Sequence, residues 1–252
     1  MLDKNQLIKN LKEGDINQAI NAAPQLANIA DDESFSAVLS VYINSSHSEV
    51  RGACAEALGK IGRVEAYEHL LKDIRNPDEH MRDSAAFALG KLGVIDCVDD
   101  LADLLDDDNM RTRSTAAHAL AKLGDNRAVQ PLEYIAEHGN VLAKMSAIRA
   151  LGDLGEESSI RIILACLEHA DSDLRLAGIK ALDSIGTPLC INGLILGCED
   201  SNSMVRREAA KSLGRLNNTD VLEHLMKLKS DVDPSVRQAA NNSIYRLKRN
   251  MD

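Results

Sequence analysis

Residues 50–62 read VRGACAEALGKIG, and residues 81–93, 31 places on, read MRDSAAFALGKLG. The string returns as TRSTAAHALAKLG at 112–124, AKMSAIRALGDLG at 143–155, LRLAGIKALDSIG at 174–186, VRREAAKSLGRLN at 205–217 and VRQAANNSIYRLK at 236–248. Its basic residue falls at Arg51, Arg82, Arg113, Lys144, Arg175, Arg206 and Arg237, every step being 31. The aliphatic residue seven places on, from Leu58 and Leu89 to Leu213 and Ile244, keeps that step. Seven copies without an insertion mark a repeat architecture, which governs every later reading.

Each copy is a helix, because Val50, Cys54, Ala57, Leu58 and Ile61 fall on one face of a 3.6-residue period. Three residues before each Val50 equivalent stand His47, Asp78, Asn109, Asn140, Asp171, Asn202 and Asp233, six of them Asx residues that cap a free N-terminal NH. Gly62, Gly93, Gly124, Gly155 and Gly186 supply a left-handed stop. Between these helices lies a second amphipathic segment per repeat, such as AYEHLLKDI from Ala66 and CVDDLADLL from Cys97. The unit is therefore a hairpin of helix A followed by helix B. One hairpin cannot bury its own apolar faces, so neighbours stack and share a core.

The expected organisation is a single domain over residues 1–252. Residues 1–31 form a degenerate N-terminal cap with Pro24 where a B helix should continue, 32–248 carry the seven repeats, and 249–252 are a tail. The last copy replaces its glycines by Tyr245 and Lys248, which suits a polar end.

Composition agrees with an all-α fold. Two Phe, four Tyr and no Trp leave a core of Ala, Leu, Ile and Val, which suits closely approaching helices better than a sheet. A net charge of −10 argues against nucleic acid as the main partner, and the missing aromatics remove the platforms on which single strands stack. No apolar run suits a signal peptide or a membrane span, and five Cys without a CxxC read as reduced thiols, so a soluble cytoplasmic protein is expected.

The form D-x-x-V-R-x-x-A-A-x-A-L-G-x-I-G is similar to the short HEAT-like repeats of phycobiliprotein bilin lyases of the E/F type, of deoxyhypusine hydroxylase and of bacterial and archaeal scaffold proteins. The resemblance covers residues 35–248 and implies a right-handed α-solenoid whose B helices line the concave side, where partners commonly bind. In deoxyhypusine hydroxylase, His-Glu pairs just after the repeat Arg bind iron. The matching positions here hold Gly52-Ala53, Asp83-Ser84, Ser114-Thr115, Met145-Ser146, Leu176-Ala177, Arg207-Glu208 and Gln238-Ala239, so that activity is excluded. The bilin lyases offer no short catalytic signature to carry over.

The repeated basic residues read as a structural ladder that pairs with the cap residues of their own or neighbouring repeats. More informative is the B-helix stripe away from the core, at positions equivalent to 49, 52 and 56. It yields a candidate partner-binding set of Phe87, His118, Leu142, Met145, Arg149, Leu176, Lys180 and Met204, where exposed apolar residues on successive repeats form a patch. Charge is uneven: residues 203–252 hold ten Lys or Arg against six Asp or Glu, and the rest is strongly acidic. Seven Asp at 96, 99, 100, 103, 106, 107 and 108 read as an outward, solvated A-helix face, or as a docking site for a basic segment.

Cys54 takes a small core position. Cys166, Cys190 and Cys198 are metal candidates that gather loosely at best, since recognised sites use tighter spacing. His138 and His169, one period apart at A-helix ends, read as stacked surface imidazoles. No phosphate loop, nucleophile elbow or carboxylate pair is present, so no catalytic residue and no cofactor is assigned. The expected function is a non-catalytic adaptor that binds a partner protein along the concave face. The alternative is a bilin lyase or chromophore-handling chaperone, and a third reading is help in iron-sulfur or metal cofactor assembly. Partner and oligomeric state are not legible in the sequence.

Overall fold

The computed structural model describes residues 3–216 and 218–249, and every regular element among them is helical. The A helices are α1 (Lys4–Glu13), α3 (Asp32–Asn44), α5 (Tyr67–Asp73), α7 (Val98–Asp103), α9 (Val129–His138), α11 (Ile160–Cys166), α13 (Ile191–Gly197) and α15 (Leu222–Lys227). The B helices are α2 (Ile16–Ile29), α4 (Ser48–Ile61), α6 (Glu79–Leu92), α8 (Met110–Leu123), α10 (Val141–Leu154), α12 (Ser172–Ile185), α14 (Ser203–Arg215) and α16 (Pro234–Arg249). Stacked hairpins of this kind are an α-solenoid. By internal packing the chain divides into two compact units, residues 1–128 with α1–α8 and residues 129–252 with α9–α16.

The B helices start and stop where the repeat says. Asp78, Asn109, Asn140, Asp171 and Asn202 each accept a first-turn NH at their side chain, whereas His47 does not. The five stop glycines all have φ between 66° and 78°. From the third hairpin on, the A helices are shorter than the sequence pattern suggests, six to ten residues after a 3-10 turn. Each of those turns ends on one fully buried residue, at Ala66, Cys97, Ala128, Ser159, Cys190 and Val221. Cys97 and Cys190 thus fill a small site that the repeat builds at the foot of the A helices from α5 to α15.

In the first unit α2, α4, α6 and α8 pack each on the next; in the second α10, α12, α14 and α16 do the same. These contacts are close because the residues between them are small. A Cβ at Gly90 would stand 2.8 Å from the Cα of Ala119, and one at Gly152 would stand 2.5 Å from the Cα of Ala181, nearer than real Cβ atoms come. This spacing explains why the B-helix core is built on small residues, while the buried aromatics Phe35 and Tyr42 lie on α3.

Two terminal expectations change. Pro24 does not stop α2: the helix continues to Ile29, with Pro24 exposed and Ala19, Ala22, Ala23, Leu26 and Ala27 buried. The ring removes a single intrahelical hydrogen bond, while packing on α4 holds the remainder. Residues 4–29 therefore form a complete hairpin. Residues 250–252 of the expected tail lie outside the described residues.

The arginine ladder is real, but its acceptor is not the cap. Arg82 donates from Nε and Nη2 to Asp107 at 2.6 and 2.9 Å, and from Nη1 to the carbonyls of Asn76 and Pro77. Arg175 grips Asp200 at 2.7 and 2.8 Å, and Arg206 grips Asp231 at 2.7 and 2.8 Å. Each carboxylate stands two residues ahead of the next B-helix cap and accepts that cap's backbone NH as well. The cap side chain is already committed to its own helix, which is why it does not take the arginine. The rungs are deep: Arg175 and Asp200 side chains are 12 and 9 % exposed. Arg51 uses Asp73 instead, and Asp73 also accepts the hydroxyl of buried Tyr42. His138 and His169 occupy the rung position in their repeats. His138 stacks on Tyr134 rather than on the other imidazole, and His169 accepts the NH of Asp171 at Nδ1.

Candidate functional site

In the first unit the exposed faces of the B helices enclose a groove of about 670 Å³. Ile20 and Pro24 of α2, Ala57 of α4 and Phe87 of α6 give it apolar walls, and Lys60, Lys91 and Lys122, from α4, α6 and α8, give it three ammonium groups at the 31-residue step. Glu56 is the one carboxylate lining it. Lys60 donates to Asn28 at 2.6 Å, and the Lys91 ammonium sits 5.4 Å from the Phe87 ring centroid. Partial desolvation, and then the like charge of Lys91, push the Lys122 ammonium below its ordinary range. The unit as a whole holds 14 Lys or Arg against 22 Asp or Glu, so this cationic strip runs against the charge of its surroundings.

The sequence stripe meets this groove only at the position of 56, through Glu56 and Phe87. At positions equivalent to 52, Gly52 and Asp83 are buried. Asp83 is consumed by the hydroxyl of Thr115 and by Arg111 at 2.6 Å. The accessible surface therefore lies at the positions of 53, 56 and 60. Phe87 is half-buried beneath Lys91, and exposed His118 shares a cleft with Phe87, Lys91 and Lys122. The three lysines escaped the sequence reading because the stripe was followed to 56 and not to the next turn. Their 31-residue recurrence was the available signal.

In the second unit the other six candidates lie on α10, α12 and α14. Leu142 and Met204 are 47 and 49 % exposed, Met145 and Leu176 are half-buried at equivalent positions of adjacent helices, and Arg149 and Lys180 are exposed. Asp173 interrupts the row between the levels of Leu142 and Met204.

The acidic run is only partly an outward face. Asp96, Asp99, Asp103 and Asp106 are exposed, Asp100 binds Arg75 at 2.8 Å, and Asp107 turns inward as a ladder rung. The cysteines are all buried. Burial pushes the thiols of Cys54, Cys166 and Cys198 up to about 12 and that of Cys97 up to about 11, so they are protonated at neutral pH. Cys166 donates to the carbonyl of Ile163. Among the described residues no three His, Cys, Asp or Glu side chains come together in a cluster that could hold a metal ion, and Cys166, Cys190 and Cys198 are not gathered into one. No helix among them is long and apolar enough to cross a membrane. Both faces set apolar side chains beside cations that have no ion-pair partner among the described residues.

The HEAT repeats family model matches residues 5–75, 67–142 and 190–245, and the PBS lyase HEAT-like repeat model matches 143–169. No curated protein matches the chain in sequence. Among solved structures it is similar to the complex of CpcE and CpcF of phycocyanin lyase from Nostoc sp. PCC7120, with 20% identity, TM-score 0.57, and coverage of 98% of this chain and 95% of that one. It is similar to Escherichia coli YibA with 15% identity, TM-score 0.68, and coverage of 98% and 93%. It is also similar to importin beta with 15% identity and TM-score 0.65, over 98% of this chain and 40% of that one. At these identities the likeness is one of fold.

Proposed function

We propose, from the premise that this chain belongs to the HEAT-repeat family, that it is a non-catalytic adaptor which holds an acidic segment of a partner protein along the exposed face of its B helices. The observation that carries the reading is the first unit's groove. Apolar walls with three ammonium groups and one carboxylate suit a segment that presents a bulky apolar side chain between Asp or Glu residues. In the second unit Leu142, Met145, Arg149, Leu176, Lys180 and Met204 form a further contact of the same kind, apolar with cations beside it. Phe87 and His118 belong to the first contact. The partner's course along the concave side is inferred from where B helices lie in HEAT-type stacks. The cytoplasm is the compartment that suits five buried, unbridged thiols.

The double substitution Met145→Glu and Leu176→Glu tests the second contact. Neither side chain is fully buried, so helicity and melting stay unchanged while capture of the partner falls at least tenfold. Undiminished capture by the folded double variant removes this face from the proposal.

A second reading is the handling of a bilin chromophore, favoured by the PBS lyase HEAT-like repeat at 143–169 and the likeness in fold to phycocyanin lyase. It is separated from the first by colour. Incubation with a free bilin and an acceptor protein gives a coloured product under this reading and a colourless stoichiometric complex under the adaptor reading.

A further inference from the structure

At the last two B helices a second groove, of about 370 Å³, opens between α14 and α16. Its walls carry Arg207, Lys211, Arg215 and Arg246, with the amides of Gln238 and Asn242 beside them. Two carboxylates meet these four cations. Glu208 binds Lys211 at 3.0 Å and Arg215 at 3.6 Å, and Asp183 takes the Nε of Arg215 at 2.8 Å. Arg207 and Arg246 have no carboxylate within 4.0 Å among the described residues.

We infer that this groove binds a phosphate monoester. The uncompensated charge is two, and a phosphate monoester carries about −1.5 to −2 at neutral pH, whereas one carboxylate would leave a cation unmatched. Arginines line both walls, Arg207 and Arg215 from α14 and Arg246 from α16, and guanidinium is the side chain suited to phosphate oxygens, while the Gln238 and Asn242 amides add neutral donors. The groove is larger than the phosphoryl group alone, which leaves room for the ester's organic part. The site lies on the second unit and does not depend on the acidic-segment groove of the first.

The test is titration of the full chain with N-acetyl-phosphoserine amide, inorganic phosphate and N-acetyl-serine amide, followed by calorimetry and by 31P line broadening. The phosphoserine derivative binds and the unphosphorylated compound does not. Inorganic phosphate binding as tightly as the ester supports the site and identifies the free anion as sufficient ligand. Arg207→Gln with Arg246→Gln weakens binding at least tenfold and leaves melting unchanged, since neither arginine supports the fold through an ion pair. The inference is overturned by absence of binding to either phosphate compound at millimolar concentration, or by equal binding to the double variant.

Discussion

Replacing Asp200 by Ala destabilises the second unit by about 3–5 kcal/mol, the range expected when one member of a buried ion pair is removed and the other is left uncompensated. The size of the effect follows from what converges on this one carboxylate. It accepts two hydrogen bonds from Arg175 and the backbone NH of the Asn202 cap, with both side chains of the pair nearly enclosed. The substitution therefore removes the carboxylate partner of the Arg175 guanidinium and leaves the Asn202 backbone NH without an acceptor. The measurement is a urea midpoint by circular dichroism, with Arg175→Met and Asp200→Leu combined as control. That pair recovers much of the loss, because hydrophobic replacement of both partners removes the stranded charge, while the unsatisfied NH of Asn202 keeps recovery incomplete.

The same rungs give an acid response of definite sign. The hydrogen bonds of Arg206 hold the Asp231 carboxyl below its ordinary value of 3.8, and Asp200 is also lowered, burial opposing ionisation and Arg175 overcoming it. A carboxyl lowered in the folded state contributes stability that is full above the unfolded pKa and is lost as pH falls through the folded one. The native chain therefore loses stability below about pH 4. Asp200→Asn with Asp231→Asn is weaker at pH 7 and shows a shallower further loss between pH 5 and pH 2, read from melting temperature against pH. An equally steep decline in both proteins would assign the acid response to other carboxylates.

The second large effect is on binding. Reversing Lys60, Lys91 and Lys122 to Glu lowers affinity for the acidic partner about a hundredfold or more, since like charge across an interface costs several kcal/mol. Folding is spared, because none of the three is in an ion pair among the described residues, and Lys122 is already pushed down by partial desolvation and then by its neighbour Lys91. The control is Lys9→Glu, Lys12→Glu and Lys72→Glu, exposed lysines of α1 and α5. It changes net charge by the same amount on the A helices, so retained binding there separates the groove from the overall field.

The repeat made the helices, their caps and their stops readable, because each rests on a local rule: an apolar period, an Asx side chain, a glycine at positive φ. What the sequence hid depends on contacts between repeats. Asp107 reads in the sequence as part of a solvated acidic run, and Asp200 and Asp231 carry no signal there, yet the arginine that reaches each one lies 25 residues earlier on the previous B helix. Pro24 looked like a break because the packing that carries α2 past it is tertiary. Phe87 and His118 are legible from the stripe as positions outside the core. The lysines above them were not, because a repeated Lys on a helix end resembles ordinary solvation until the helices are set side by side.

A partner held on the exposed B-helix face of the first unit shields its lysines, and lysine-reactive footprinting of the complex reads that shielding. With the partner bound, Lys60, Lys91 and Lys122 lose reactivity toward an amine-specific reagent while Lys9, Lys12 and Lys72 keep theirs. Protection of the A-helix lysines with the groove lysines still fully reactive contradicts this placement of the partner.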